Sequence, residues 1–178
     1  MFTFKRIAAV VAIAITAVLI YAATTPDTFQ VQRSASISAP PEKILPYLND
    51  FQKAAAWVPY EKRDPAMKRS FSGAPTGKGS VYNFEGNSEA GTGRLEILDS
   101  TPNKVTVQLD MTKPFAVSNT IEYTLEPQGA DTRITWAMHG TKPYIAKVIG
   151  VFIDCDKMVG KDFETGLASL KALTEKKS

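Results

Sequence analysis

The chain has 178 residues, of which 44% are hydrophobic and 22% are charged, a composition that fits one globular domain with a short appendage. Its formal charge of +3 includes Lys5 and Arg6, and the other 19 basic and 18 acidic residues leave the rest of the chain at +1. Such a nearly neutral domain lacks the basic surface of a nucleic-acid-binding protein. One cysteine and one histidine exclude an intramolecular disulfide and a Cys/His metal site. We therefore expect no nucleic-acid partner, no metal and no cofactor.

The N-terminal segment predicts a membrane anchor. An uncharged stretch of 17 residues, Ile7 to Ala23, follows Lys5 and Arg6. As a helix it would span about 25 Å, the short end of what crosses a hydrocarbon core of about 30 Å. Since both cations precede the stretch, we expect the rest of the chain outside the cytoplasm, on the periplasmic side. We assign residues 1–27 to the anchor and linker, and residues 28–178 to a single domain.

Two alternatives to an uncleaved anchor remain open for this segment. A cleaved signal peptide would release a secreted domain, but cleavage after Ala22 or Ala23 would put Ile20 or Tyr21 where a small residue is needed. The other alternative is a buried core helix. We rank it last because the segment shows no polar face.

The next part of the chain predicts six or seven short strands joined by turns. In each, apolar residues recur at every second position, the period of a half-buried strand. Two short helices are predicted after the first strand, one opening near Pro40 and Pro41 and one carrying Phe51 toward Trp57. The predicted strands are Phe29–Ser38, Met67–Phe71, Ser80–Glu85, Arg94–Leu98, Lys104–Asp110, Asn119–Glu126 and Thr132–His139.

The last part of the chain predicts one long amphipathic helix that runs almost to the C-terminus. Its apolar residues mostly recur at spacings of three and four. A run of strands closed by one such helix predicts an α+β domain in which an antiparallel sheet packs on the helix. The apolar residues of this pattern are Ile145, Ile149, Phe152, Val159, Phe163, Leu167 and Leu170.

This order of elements resembles the helix-grip fold of the START-like superfamily, also called SRPBCC or polyketide cyclase/dehydrase-like. The resemblance covers roughly Thr28 to Glu175. It implies a curved antiparallel sheet wrapped on a long C-terminal helix, here preceded by a transmembrane helix. Members of this family include lipid and hydrophobic-ligand carriers and cyclases, so the resemblance alone does not select a function. The segments that carry it are Val31–Ile44, Asn49–Pro59, Phe71–Gly79, Arg133–Trp136 and Val159–Lys171.

A curved sheet of this kind can leave a hollow beside the helix, and an apolar hollow is a ligand site. We predict that aromatic and apolar side chains in the inward phase line such a cavity, with Trp57 or Tyr60 near its mouth. The hydroxyls of Tyr82 and Tyr123 could orient a ligand. Plain core packing of the same side chains is the alternative. The predicted ligand-binding residues are Trp57, Tyr60, Tyr82, Phe84, Tyr123, Trp136 and Met138.

No pattern in the sequence predicts a catalytic residue. His139, the only imidazole, falls in the outward phase of its strand, and no motif places a base beside Cys155, which we expect to be a buried free thiol. Arg33 falls in the apolar phase of the first strand. It could be a strand-end residue whose guanidinium reaches water, or a cationic anchor at the cavity mouth. The acidic residues of the C-terminal helix predict a solvated face with Lys157 and Lys161; they are Asp154, Asp156, Asp162 and Glu164.

We therefore predict a membrane-tethered domain that binds a hydrophobic small molecule or lipid between its sheet and its C-terminal helix. Two other functions remain open. One is a cyclase- or dehydratase-type enzyme acting on an apolar substrate, which the missing catalytic pair disfavours. The other is a structural envelope module with a filled core and no ligand. The size of the internal cavity separates the first two functions from the third.

Overall fold

The computed structural model describes residues 2–176. Helix α1, Phe2–Thr24, is largely exposed: only 6% of its apolar segment Lys5–Thr24 is buried, and its C-terminal part contacts the chain near Tyr144. The core-helix alternative is therefore wrong. The length and composition of α1 suit a membrane span, and an N-terminal signal sequence has the same properties.

The seven strands form one sheet in the order β1-β7-β6-β5-β4-β3-β2, and every neighbouring pair is antiparallel. Each predicted strand is present, and the last four extend beyond the alternating pattern at one or both ends, because pairing with a neighbour sustains a strand where the pattern fades. The strands are β1 Thr28–Ile37, β2 Lys68–Gly73, β3 Ser80–Glu85, β4 Thr92–Thr101, β5 Lys104–Lys113, β6 Val117–Gln128 and β7 Asp131–Thr141.

Between β1 and β2 the chain forms α2, Pro41–Leu48, and the single turn α3, Phe51–Ala54, followed by a 3-10 turn over Pro59–Lys62. Pro41 stands at the start of α2, where proline's missing N–H costs no hydrogen bond. The carboxylate of Asp50 caps α3 by accepting hydrogen bonds from two backbone N–H groups. Both predicted short helices are thus present.

The C-terminal helix is broken in two, contrary to the prediction of one long helix. Helix α4 covers Tyr144–Gly150 and α5 covers Cys155–Thr174. Asp154 caps the second helix by accepting a hydrogen bond from the N–H of Lys157, which starts a new helix rather than continuing the old one. Ile145 and Phe152 are 59% and 75% exposed, so only the part of the apolar pattern from Val159 onward faces the sheet.

Helix α5 lies against β1 and the inner face of the sheet, and one aromatic contact defines how closely. The rings of Phe163 and Trp136 stack with their centroids 4.0 Å apart and their planes 10° from parallel. Gly166 permits this approach, because a Cβ there would lie 2.8 Å from the ring of Trp136. The core is closely packed between this contact and the end of the sheet at which β1 finishes. Its fully buried side chains include Ile37, Ile97, Val105, Leu125, Ile134, Leu167 and Leu170.

Arg33 makes ion pairs with α5 that were not predicted, whereas Asp154, Asp156 and Glu164 are exposed, as expected for a solvated face. The guanidinium of Arg33 lies across α5 and binds the carboxylates of Asp156 and Glu164, each at 2.9 Å. A Cβ at Gly160 would lie 2.0 Å from a guanidinium nitrogen, so glycine leaves the space that this pairing needs. Arg33 is therefore a clamp between β1 and α5, and it does not line the cavity described below.

Three further predictions concern single side chains on this part of the fold. Cys155 is exposed at the start of α5, so the prediction of a buried thiol is wrong, because the helix break moves this residue to the surface. Asp162 pairs with Arg63 at 2.7 Å and is not simply solvated. His139 is exposed, as its strand phase predicts.

Phe163→Ala should lower the free energy of unfolding by about 3–5 kcal/mol, because it removes a buried ring that stacks on Trp136. The measurement is urea unfolding followed by circular dichroism in detergent. Phe152→Ala is the matched control, since Phe152 is 75% exposed and its truncation should change stability by less than about 0.5 kcal/mol. Equal losses in the two variants would contradict the assignment of this helix face to the core.

Candidate ligand-binding cavity

The inner face of the sheet is not filled along its whole length. A cavity of about 350 Å³ opens on the side of Trp136 away from the packed core. Its walls are the inner side chains of β3–β7, the segment from Tyr47 to Met67, and two hairpins at the end of the sheet. Helix α5 contributes only Phe163, so the cavity lies mainly between the sheet and the short helices rather than against the long helix as predicted.

All seven residues predicted from the sequence line this cavity. Whether any of them contacts a ligand stays a prediction. The expected position of Trp57 at the mouth is wrong: its side chain is 1% exposed and lies at the inner end. Tyr60 is half-buried on the wall formed by the 3-10 turn.

The inner end of the cavity is a cluster of interlocking aromatic rings. Trp57 meets Trp136 and Tyr123 edge-on, with centroids 5.2 and 5.9 Å apart, and Trp136 stacks on Phe163. The indole N–H of Trp57 donates to the carbonyl oxygen of Tyr47 at 2.9 Å, which ties the cluster to α2. These side chains are interdigitated, as the core-packing alternative requires, but they close only one end of the hollow.

The opposite wall carries a second aromatic group around Tyr82. Its ring stacks on Phe71, with centroids 5.0 Å apart, and also contacts Phe51 and Phe84. Its hydroxyl donates a hydrogen bond of 2.6 Å to the carboxylate of Glu61. Because burial and this hydrogen bond both favour the neutral phenol, the pKa of Tyr82 lies above its usual value. The hydroxyl is already engaged, so it is not free to orient a ligand in this arrangement.

Tyr123 differs from Tyr82 because its hydroxyl has no hydrogen-bond partner among residues 2–176. Burial raises the pKa of this phenol, and burial followed by the nearby Asp162 carboxylate raises that of Tyr60. Two buried polar atoms on lining residues, Asn119 Oδ1 and Trp136 Nε1, also lack a partner within the described part of the chain. Both atoms are inaccessible, so the cavity is apolar with the hydroxyl of Tyr123 as an unengaged, uncharged polar group.

The charged residues on the inner wall are paired with one another. The carboxylate of Glu61 accepts from Arg69 at 2.8 Å as well as from Tyr82. Arg63 binds Asp162 and covers the ring of Tyr60, with its guanidinium carbon 4.6 Å from the ring centre. Glu89, the other charged lining residue, is exposed at the rim. These pairs leave the interior of the cavity without a free charge.

The exposed lining residues locate the mouth. They are Ser88 and Glu89 in the β3–β4 hairpin and Pro114 in the β5–β6 hairpin. The strand register places both hairpins at the end of the sheet where β1 begins and β7 finishes, since Thr28 pairs with Thr141. The mouth therefore lies at the end of the domain that follows α1.

Several lining residues were not predicted from the sequence. The alternation of inward and outward side chains along a strand could have predicted two of them. Met111 lies two positions after the inward Leu109, and Asn119 lies two positions before the inward Ile121. Glu61 and Arg63 gave no such signal, because they lie in and after a short 3-10 turn with no periodic pattern. Among the residues that the structure covers, no three His, Cys, Asp or Glu side chains are grouped to hold a metal ion.

Comparisons with known proteins agree with this architecture. The sequence profile of the family described as polyketide cyclase/dehydrase and lipid transport matches residues 28–175. No curated protein sequence matches the chain. Among solved structures, CV1439 from Chromobacterium violaceum is 16% identical with a TM-score of 0.59, covering 86% of this chain and 100% of that protein.

Two further structures show the same fold at low identity. The ginseng major latex-like protein 151 from Panax ginseng is 10% identical with a TM-score of 0.60, covering 85% of this chain and 100% of that one. The jhp0584 protein from Helicobacter pylori is 13% identical with a TM-score of 0.61, covering 83% and 88% of the two chains. The predicted resemblance and the α+β helix-grip fold are confirmed, and the chain belongs to the polyketide cyclase/dehydrase and lipid transport family of SRPBCC proteins.

Proposed function

We propose that this protein binds a neutral, mostly apolar small molecule or lipid in the cavity beside Trp136, while α1 holds it to a membrane. The observation that carries the proposal is the cavity itself. Its volume of about 350 Å³ falls in the range of roughly 300–1,000 Å³ typical of small-molecule sites. A structural module with a filled core would leave only water-sized voids.

The wall chemistry supports an uncharged ligand. Burying an ion without a partner is costly, so a charged ligand would need an opposite charge on the wall. The interior charges of Glu61 and Arg63 are already paired. The hydroxyl of Tyr123 could instead serve a neutral hydroxyl or carbonyl group of the ligand.

The size of the cavity supports a compact ligand. A volume at the lower end of the range for such sites suits a small molecule or one chain of a larger lipid. The family's description includes lipid transport, which is consistent with this chemistry.

A cavity-filling substitution tests the proposal. Leu109→Trp should remove a bound molecule, because Leu109 lines the cavity and a larger side chain would occupy it. The measurement is mass spectrometry of organic extracts from the purified full chain, quantified per mole of protein. Leu98→Trp, on the exposed position of the neighbouring strand, is the matched control.

We expect a molecule that is near-stoichiometric in the wild type and in the control, and at least tenfold depleted in Leu109→Trp. The control matters because bulk lipid copurifies with any membrane protein. A molecule present equally in both variants would not occupy the cavity, and the absence of any stoichiometric molecule would favour the structural module.

Tyrosine titration tests whether the phenols that line the cavity have raised pKa values. Since the pKa values of Tyr60, Tyr82 and Tyr123 lie above the unfolded value of about 10, these phenols should be less ionised in the folded chain than in the unfolded chain once the pH rises above about 10. Stability should then fall as pH rises above about 10, because unfolding releases protons that the folded state retains. Absorbance at 295 nm should show fewer tyrosinates before urea unfolding than after it, and Tyr123→Phe should narrow that difference.

The orientation of the chain is tested with a reporter fused after Ser178, a position outside the described residues. The two cations before the apolar segment predict that the domain is extracytoplasmic. An alkaline phosphatase fusion should therefore be active and a cytoplasmic β-galactosidase fusion inactive. The reverse pattern would contradict the orientation. Shortening of the mature chain at the N-terminus would instead identify α1 as a cleaved signal peptide.

A further inference from the structure

We infer that the domain lies on the surface of the same membrane that holds α1, through an exposed apolar surface on α4, the turn that follows it and the start of α5. This inference rests on the proposed anchoring by α1. The surface is defined by Tyr144, Ile145, Phe152, Ile153 and Met158, which are 48%, 59%, 75%, 48% and 57% exposed. We refer to these residues as the α4 surface.

Contact with α1 fixes the height of the α4 surface relative to the membrane. The hydroxyl of Tyr144 donates a hydrogen bond of 2.8 Å to the carbonyl oxygen of Leu19. Leu19 is five residues before the end of α1 at Thr24, about 7.5 Å along a helix that rises about 1.5 Å per residue. The start of α4 is therefore level with the last turns of the apolar segment, where a membrane meets water.

The short connection between α1 and β1 holds α4 in this place. The ammonium of Lys147, buried on α4, binds the carbonyl oxygen of Thr25 at 2.8 Å and the carboxylate of Asp27. The backbone N–H of Lys142 also donates to the carbonyl oxygen of Asp27 at 2.6 Å. These bonds make the connection part of the domain's structure.

The chemistry of the α4 surface suits a lipid headgroup region. Exposed aromatic and aliphatic side chains of this kind can bury about 5–10 Å into the boundary between headgroups and acyl chains. Phe115, 62% exposed in the β5–β6 hairpin, lies at the same end of the sheet, because β1 begins where β5 and β7 finish. Soluble monomers rarely leave such a concentration of apolar side chains exposed.

A bilayer is favoured over a second copy of the chain because the surface continues directly into α1. The neighbouring turns of α1 expose Ile20 and Tyr21 at 62% and 59%. Any occupant of the α4 surface must lie beside the membrane-embedded end of this helix, and lipid is already there. The mouth of the cavity is at the same end of the domain, so the ligand would pass between cavity and membrane without crossing bulk water.

Cys155 provides a native reporter, because it is exposed, lies between Ile153 and Met158, and is the single cysteine of the chain. The full chain is labelled there with a nitrobenzoxadiazole fluorophore and reconstituted into phosphatidylcholine–phosphatidylglycerol vesicles. Quenching by doxyl-labelled lipid is compared with quenching by aqueous iodide. Two control labels use the Cys155→Ser background: Ile13→Cys within α1, and Ala130→Cys in the β6–β7 hairpin at the opposite end of the sheet.

We expect doxyl lipid to quench the labels at positions 13 and 155 at least threefold more than the label at 130, and iodide to show the opposite order. Lipid quenching at 13 alone would overturn the inference and leave anchoring intact. No lipid quenching at 13 would overturn both. Protection of position 155 from iodide without lipid quenching would mean that a second copy covers the surface, and this too would overturn the inference.

A substitution test uses the same label. Phe152→Asp combined with Ile153→Asp should reduce lipid quenching at position 155 at least twofold, because charged side chains disfavour burial among acyl chains. Both residues are exposed, so the fold should be retained. Leu98→Asp, an exposed position on β4 outside the α4 surface, should leave the quenching unchanged. Equal quenching in all three proteins would show that the α4 surface does not contact lipid.

Discussion

The stacking of Trp136 on Phe163 divides the inner face of the sheet into two regions. On one side, α5 contacts the strands so closely that Leu125, Ile134 and Leu167 have almost no exposed surface. On the other side, the helix no longer covers the sheet, and the short helices span the gap less tightly and leave the cavity. Gly166 sets the position of this division, since a side chain there would push α5 away from Trp136. A stable core and an internal hollow can therefore coexist in one small domain.

Ion pairs on the first half of α5 have two different effects. Near its start, Arg33 binds two carboxylates of the helix and fixes it to the edge strand β1. Asp162, which lies between those two carboxylates in sequence, holds Arg63 over the Tyr60 ring, so the helix also supports one wall of the cavity. Such partly exposed pairs contribute little to stability individually. Their effect here is to fix the positions of the charged side chains, which bind one another and leave the cavity interior without a free charge.

Strand phase made much of this molecule predictable from its sequence. The two-residue period placed Tyr82, Tyr123 and Trp136 on one face of the sheet, and antiparallel pairing then brought all three to the lining of one cavity. The helix was harder, because spacings of three and four continue across Asp154 although the helix does not. That break exposes Cys155, which no local pattern indicated. Contacts between distant segments, such as Glu61 with Tyr82, depend on how the 3-10 turn folds back and leave no mark in a local pattern.

The length of the connection after α1 limits how far the domain could move from a membrane that holds α1. Only Thr25, Pro26 and Asp27 separate the helix from β1, and three extended residues reach about 10 Å. With α1 in a bilayer, a tether this short keeps the domain from travelling to a facing membrane. It would act as a stationary acceptor, and its exchange partner would have to diffuse laterally to it or approach from solution. Lengthening the tether, rather than altering the cavity, would be the route to a shuttling carrier.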